Sequence, residues 1–240
     1  LGRLRTHRLL FVELGPNADT FLYQFDSGHC EVFKLFYAFA EVKNPKARDG
    51  KTPLHLAACK DRSDICKFII EREDDKNPEN NMGNTPLHCA AMHGHHDICC
   101  LIINSVTNIN MYHNNDGFTP FGLAAQYGHL YICKLILRNI IEKNPRNANG
   151  DTPLRYAAYY GCLDVCKSII ENINEKNPRN LDNYTPLHLA AFGGHLNECK
   201  LIMANVDNIQ PRNLNDDTPM DLAKEWNKVH IIQLFRLANI

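Results

Sequence analysis

Residues 142–158 read EKNPRNANGDTPLRYAA, and residues 175–191 read EKNPRNLDNYTPLHLAA. The second stretch restates the first, and Thr-Pro marks the register: Thr52, Thr85, Thr119, Thr152, Thr185 and Thr218 follow one another at steps of 33, 34, 33, 33 and 33. A fixed period in the range of about 20–50 residues is the mark of a solenoid, in which a unit cannot bury its apolar face alone and stacking on neighbours does it instead.

The segments after each threonine are TPLHLAA (52–58), TPLHCAA (85–91), TPFGLAA (119–125), TPLRYAA (152–158), TPLHLAA (185–191) and TPMDLAK (218–224). Gly94-His95, Gly128-His129 and Gly194-His195 come next, then an apolar helix such as ICKLIL at 132–137. Thr is a good N-cap and Pro suits the first helical position. The Leu and paired Ala let two short helices pack closely, and helices of about two turns do not persist alone. Two residues before each Thr stand Gly50, Gly83, Gly117 and Gly150, then Asn183 and Asp216. These residue types tolerate the left-handed backbone of a tight hairpin turn.

At these residues the chain resembles ankyrin repeats over at least residues 44–236. The resemblance implies an all-α, ankyrin-type solenoid of stacked helix-turn-helix repeats joined by β-hairpin loops, about seven units with degenerate ends. The expected units are 15–47, 48–80, 81–114, 115–147, 148–180, 181–213 and 214–240. Residues 1–14 form an N-terminal arm or a repeat remnant. In the worn first unit, Asp19-Thr20-Phe21-Leu22-Tyr23 echoes Asp151-Thr152-Pro153-Leu154-Arg155, and Cys30 to Phe36 reads as a second helix.

Departures from the family pattern carry further expectations. Asn139, Asn172 and Asn205 stand where a glycine usually closes the second helix, so each is expected to serve as a left-handed C-cap. Asp61-Arg62 replaces Gly-His, which predicts a looser junction there. The third unit carries an extra residue near Met111, expected in its hairpin. Asn-Pro replaces Asn-Ala at Asn44, Asn77, Asn144 and Asn177.

Charge balances at 26 basic against 27 acidic residues, leaving no field to draw in phosphate backbones. Nucleic acid is therefore not the expected partner, and no apolar run approaches the ~18 residues of a membrane span. Ten cysteines in 240 residues fit a reduced cytoplasmic, or nuclear, protein better than a secreted disulfide scaffold. Cys66, Cys99, Cys133, Cys166 and Cys199 each lie 14 residues after their Thr, and His95–Cys99, His129–Cys133 and His195–Cys199 share the i, i+4 spacing of helical metal ligands. The repeat accounts for both residues without a metal, since a free cysteine behaves as a small buried apolar group. No metal, cofactor or catalytic nucleophile is expected. Phosphate loops, Gly-x-Ser-x-Gly elbows and paired carboxylates are absent from the sequence.

The residues that change from unit to unit carry the functional expectation. In ankyrin-like arrays the hairpin tips and the exposed ends of the first helices line a concave, partner-binding face. Carried over position by position, that face has Phe118, Tyr127, Tyr159, Tyr160, Tyr184, Phe192 and Trp226 on the later units, and Arg48, Lys51 and Lys60 on the first complete one. Gly193 is expected to leave a gap in the aromatic row. Tyr and Trp dominate interface hot spots because they bury much area and lose few rotors. The expectation is a monomeric protein-binding scaffold without catalysis. The alternatives are an ankyrin segment of a larger enzyme, channel or regulatory subunit, and a substrate of an asparaginyl hydroxylase at Asn44, Asn77, Asn110, Asn144 or Asn177.

Overall fold

The computed structural model describes residues 30–39, 45–106 and 113–238. The segment 1–14, the echo at Asp19–Tyr23, Asn44, Asn110 and the insertion near Met111 lie outside the described residues. Every regular element among the described residues is an α-helix: α1 (Cys30–Phe39), α2 (Pro53–Cys59), α3 (Ser63–Ile70), α4 (Pro86–His93), α5 (His96–Ser105), α6 (Pro120–Gln126), α7 (Leu130–Asn139), α8 (Pro153–Tyr159), α9 (Leu163–Ile170), α10 (Pro186–Gly193), α11 (Leu196–Met203), α12 (Pro219–Glu225) and α13 (Val229–Ala238). This is the all-α ankyrin-type solenoid, with each Thr-Pro opening the first helix of a pair. The residues fall into two compact units, Leu1–Ala90 with Asp97–Val106, and Ala91–His96 with Thr107–Ile240.

In the second unit α6, α8, α10 and α12 touch in succession, and so do α7, α9 and then α11 and α13. Ala124-Ala125, Ala157-Ala158 and Ala190-Ala191 are fully buried, which is how short first helices approach one another closely. Between them and the second helices lie Leu154, Leu187, Ile132, Ile169 and Ile202, each worth roughly 1.5–3 kcal/mol of burial. In the first unit α1 packs on α3, where Phe33 and Tyr37 meet Phe68 edge-on at 5.8 and 5.3 Å.

The hairpin tips are turns closed by backbone and side chain together. The Asn147 N–H donates to the Asp151 carbonyl at 2.9 Å, and Asn147 Oδ1 accepts from the N–H groups of Asn149 and Asp151 at 2.9 and 2.8 Å. Neighbouring tips join through single bonds, Leu181 N–H to the Asn149 carbonyl at 3.0 Å and Leu214 N–H to the Asp182 carbonyl at 3.1 Å. Gly50, Gly83, Gly117 and Gly150 take φ of 71 to 79°, and Asn183 and Asp216 follow at 62 and 66°, as the substitution pattern predicts.

Two local expectations are corrected. Asp61 takes φ 55°, and the Arg62 N–H reaches the Ala57 carbonyl at 2.9 Å, the same bond that His195 makes to Ala190 at 2.9 Å. The junction is as tight as the others, because Asp, like Asn, can enter the left-handed region. Asn139, Asn172 and Asn205 do not take positive φ. Each turns its side-chain amide back to the carbonyl four residues earlier, on Leu135, Ser168 and Leu201, at 2.8 Å in all three. They satisfy the helix end through the side chain, not through the backbone.

Lysines complete those helix ends. The ammonium groups of Lys76, Lys143 and Lys176 donate to the last carbonyls of α3, α7 and α9 and the loops after them, on Ile70, Leu137 and Ile170 among others. A cation there also meets the negative end of the helix dipole.

Candidate partner-binding surface

Position eight after each threonine is the last residue of the first helix or its C-cap, and in the second unit it points outward. Tyr127, Tyr160 and Trp226 hold it with 51%, 49% and 53% of their surface exposed. One position earlier stand Gln126 and Phe192, both half-buried, and Tyr159 and Glu225, both exposed. Tyr159 meets Tyr160 edge-on at 4.8 Å and stacks on Phe192 at 6.0 Å, and Phe192 meets Trp226 at 4.9 Å. The Gln126 amide donates to the Tyr160 hydroxyl at 3.4 Å, which carries the row back to the α6 unit. The result is a continuous aromatic ladder from α8 to α12, with Phe192 half-buried as its rung and Tyr160 and Trp226 as its open faces.

Phe118 and Tyr184 serve differently. Phe118 is half-buried against Tyr156 at 5.0 Å, and Tyr184 is half-buried against His188 at 5.6 Å, with the Arg155 guanidinium 6.0 Å from its ring centre. Both rings seat the hairpin base on the first helix. The expected gap at Gly193 is not there. A Cβ at Gly193 would lie 2.4 Å from the His195 ring, whose Nε2 donates to the Tyr159 carbonyl at 2.9 Å. His195 folds back across the glycine and fills the space that a missing side chain seemed to leave.

The basic residues lie in the first unit. Arg48 and Lys60 are exposed, and the Lys51 ammonium bonds the Asp49 carboxylate at 2.8 Å, which raises the lysine and lowers the aspartate from their ordinary pKa values. Of the hairpin asparagines, Asn77 is buried and its Oδ1 accepts from the Leu87 N–H at 3.0 Å. Asn177, half-buried, repeats that bond to Leu187 at 3.3 Å, and Asn144 is half-buried.

Two histidines of the Gly-His turns, His129 and His195, bond backward to the preceding repeat. His129 Nε2 meets the Met92 carbonyl at 3.0 Å, as His195 meets Tyr159, so each ring ties its turn to the preceding repeat. Cys99, Cys133, Cys166 and Cys199 have no exposed surface, and desolvation pushes the Cys99 and Cys199 thiols up to about 12. Among the described residues no three His, Cys, Asp or Glu side chains gather as a metal would require, and no helix is long and apolar enough to cross a membrane.

Sequence reasoning missed the histidine three residues after Thr. His55, His88 and His188 are buried, and each Nδ1 accepts from the backbone N–H of its own Thr, at 3.1, 3.1 and 3.2 Å. The Nε2–H of His55 and His188 then donates to the carbonyl just before the next threonine, Asn84 at 2.8 Å and Asp217 at 3.1 Å. The signal was available. Asp221 replaces the ring at the same position and closes the same capping box on Thr218.

The family model for ankyrin repeats (3 copies) matches residues 22–113 and 105–180, and the model for the single ankyrin repeat matches residues 182–213. The chain belongs to the ankyrin repeat family, whose arrays are general modules of protein–protein interaction. No curated protein matches the sequence.

Proposed function

We propose that the chain is a non-catalytic scaffold that binds a partner protein through the outward faces of its first helices and hairpin tips. The observation that carries this reading is the aromatic ladder, with Tyr160 and Trp226 half-exposed against the rings of Tyr159 and Phe192, and Tyr127 half-exposed one repeat earlier. A ring held in place before binding loses little conformational freedom on contact, so its buried area converts efficiently into affinity. Phe118 and Tyr184 shape the same surface from the hairpin side, and Arg48, Lys51 and Lys60 offer a basic contact on the first unit. The abundance of buried thiols supports a reducing compartment, cytosol or nucleus, as the site of action.

The test pairs affinity with stability. A partner recovered by affinity capture is titrated against the wild-type chain and against Tyr160→Ala and Trp226→Ala. Each alanine variant is expected to weaken binding by about 2 kcal/mol while its melting temperature stays close to wild type. Variants that melt early and bind normally would show that these rings only pack.

A further inference from the structure

In the second unit each Lys or Arg of α6, α8, α10 and α12 already has its carboxylate: Arg155 pairs with Asp151, and Lys224 with Asp221 at 2.9 Å. At the hairpins Arg212 pairs with Asp216 at 2.7 Å and Arg146 with Glu175 at 3.1 Å, while the Arg179 guanidinium donates to the Arg212 carbonyl at 2.7 Å. Lys228 lies over Gly194, where a Cβ would meet its Cδ at 3.0 Å. Carboxylates are left over. Glu225 is exposed directly before Trp226, and Asp182 is exposed at the hairpin tip before α10. Asp217 is half-buried just before Thr218, its Oδ2 accepting from the Asn213 amide at 3.3 Å. Among the described residues no ion pair reaches any of the three.

The chain itself shows what answers such a surplus. Arg155 lies between the Asp151 carboxylate and the Tyr184 ring, 6.0 Å from the ring centre, and the Arg72 guanidinium lies 3.8 Å from the centre of Phe68. A guanidinium suits these places because its plane stacks on a ring while its N–H groups reach a carboxylate. Trp226 and Glu225, adjacent and both exposed at the end of the ladder, hold the same two groups out to solvent. We propose, resting on the scaffold reading above, that the partner segment seated on the ladder is basic: an extended, arginine-bearing stretch of another protein whose guanidinium groups stack on Tyr160 and Trp226 and pair with Glu225, Asp182 and Asp217. Neighbouring packed helices lie roughly 8–10 Å apart, so α8 to α12 span about 20 Å, the reach of about six extended residues. An acidic segment would meet like charge along that path, and a purely apolar one would strip water from the carboxylates without supplying a cation.

The experiment titrates the full chain against fluorescein-labelled dodecapeptides that alternate serine with arginine, with lysine or with glutamate, read by fluorescence anisotropy. The arginine peptide is expected to bind tightest, the lysine peptide several-fold more weakly and the glutamate peptide not at all, and the arginine affinity should fall as sodium chloride rises. Trp226→Leu should weaken the arginine peptide by about fivefold and Glu225→Gln by about threefold, with melting temperatures unchanged. Glu225→Lys combined with Asp182→Lys should reverse the preference, so that the glutamate peptide binds and the arginine peptide does not. Equal binding of the arginine and glutamate peptides would overturn the proposal. So would an arginine peptide that fails to bind at millimolar concentration, or one indifferent to both Trp226→Leu and Glu225→Gln. The captured partner separates this from the scaffold reading. If Tyr160→Ala weakens that partner while the arginine peptide neither binds nor competes with it, the basic assignment falls and the scaffold reading stands. If the partner ignores both Tyr160→Ala and Trp226→Ala, both fall.

Discussion

At the start of α10, Thr185 meets the His188 ring: its N–H donates to Nδ1 at 3.2 Å and its hydroxyl lies 2.9 Å from the same atom. At the start of α8, one repeat earlier, Arg155 stands in that place and the buried Thr152 hydroxyl has no hydrogen-bond partner. The rest of the two motifs is nearly the same, TPLHLAA against TPLRYAA. His188 is neutral, enclosed, and bonded on both nitrogens, one to its own cap and one to the Asp217 carbonyl of the next repeat. Arg155 is charged. It pairs with Asp151, lies beneath the Tyr184 ring, and keeps its Nε buried without a partner. The slot is fixed by the period, but its chemistry is not. A ring there stitches successive repeats through a neutral network, whereas a guanidinium holds its own hairpin by an ion pair.

The largest expected effect follows from protonation. Desolvation holds His55 and His188 down at about 4, against the ordinary 6.5. Below pH 6.5 the unfolded chain therefore takes up protons that the folded chain refuses, and stability rises with pH across that window. It is fully present above about 6.5 and lost as pH falls toward 4, by on the order of 3 kcal/mol for each ring. Urea unfolding at a series of pH values measures this, and His188→Gln, which keeps an acceptor for Thr185, should flatten part of the slope. An unchanged slope in that variant would mean that the ring is not what titrates.

The ion pair at α8 gives the next effect. Arg155→Ala leaves Asp151 in a largely enclosed site without its cation and should cost about 2 kcal/mol. Asp151→Asn should cost a comparable amount. The double variant should cost clearly less than the two together, because each single change strands a charge that the double change removes. Strict additivity would show that the two side chains merely sit near each other.

Much of the fold was legible because the repeat substitutes like for like. Asn183 and Asp216 in the glycine slot declared a left-handed turn before any coordinate did, since few other residue types accept that backbone. The aromatic row was legible as positions, and the structure adds which rings are open and which are rungs. What stayed hidden has a common cause: the partner lies one period away or the side chain folds back. Arg146 and Arg179 donate to the carbonyls of Arg179 and Arg212 in the following repeats, bonds that no window of sequence displays. His195 closes over Gly193 from two residues away, and Asn172 acts through its amide where backbone geometry was expected. Spacing locates a residue along the helix but leaves open which of its groups makes the bond.

The smallest effect is the one that sharpens the comparison most, because it converts one region into the other. Arg155→His combined with Asp151→Asn replaces the charged slot of α8 by the neutral one of α10. In the new geometry Nδ1 would accept from the Thr152 N–H and satisfy its stranded hydroxyl. Nε2–H would face the Tyr184 carbonyl, the residue before Thr185, just as His188 faces Asp217. Against that gain stand the lost ion pair and the lost packing of the guanidinium on Tyr184. Replacing a paired, enclosed charge by a satisfied neutral group is often neutral or favourable, so the double variant should gain about 1 kcal/mol at pH 7. It should also acquire a further acid-sensitive ring, with the gain disappearing as pH falls below 6.5. Stability that drops at pH 7, or a gain that survives acid, would mean that the α8 slot differs from that of α10 in more than the residue it holds.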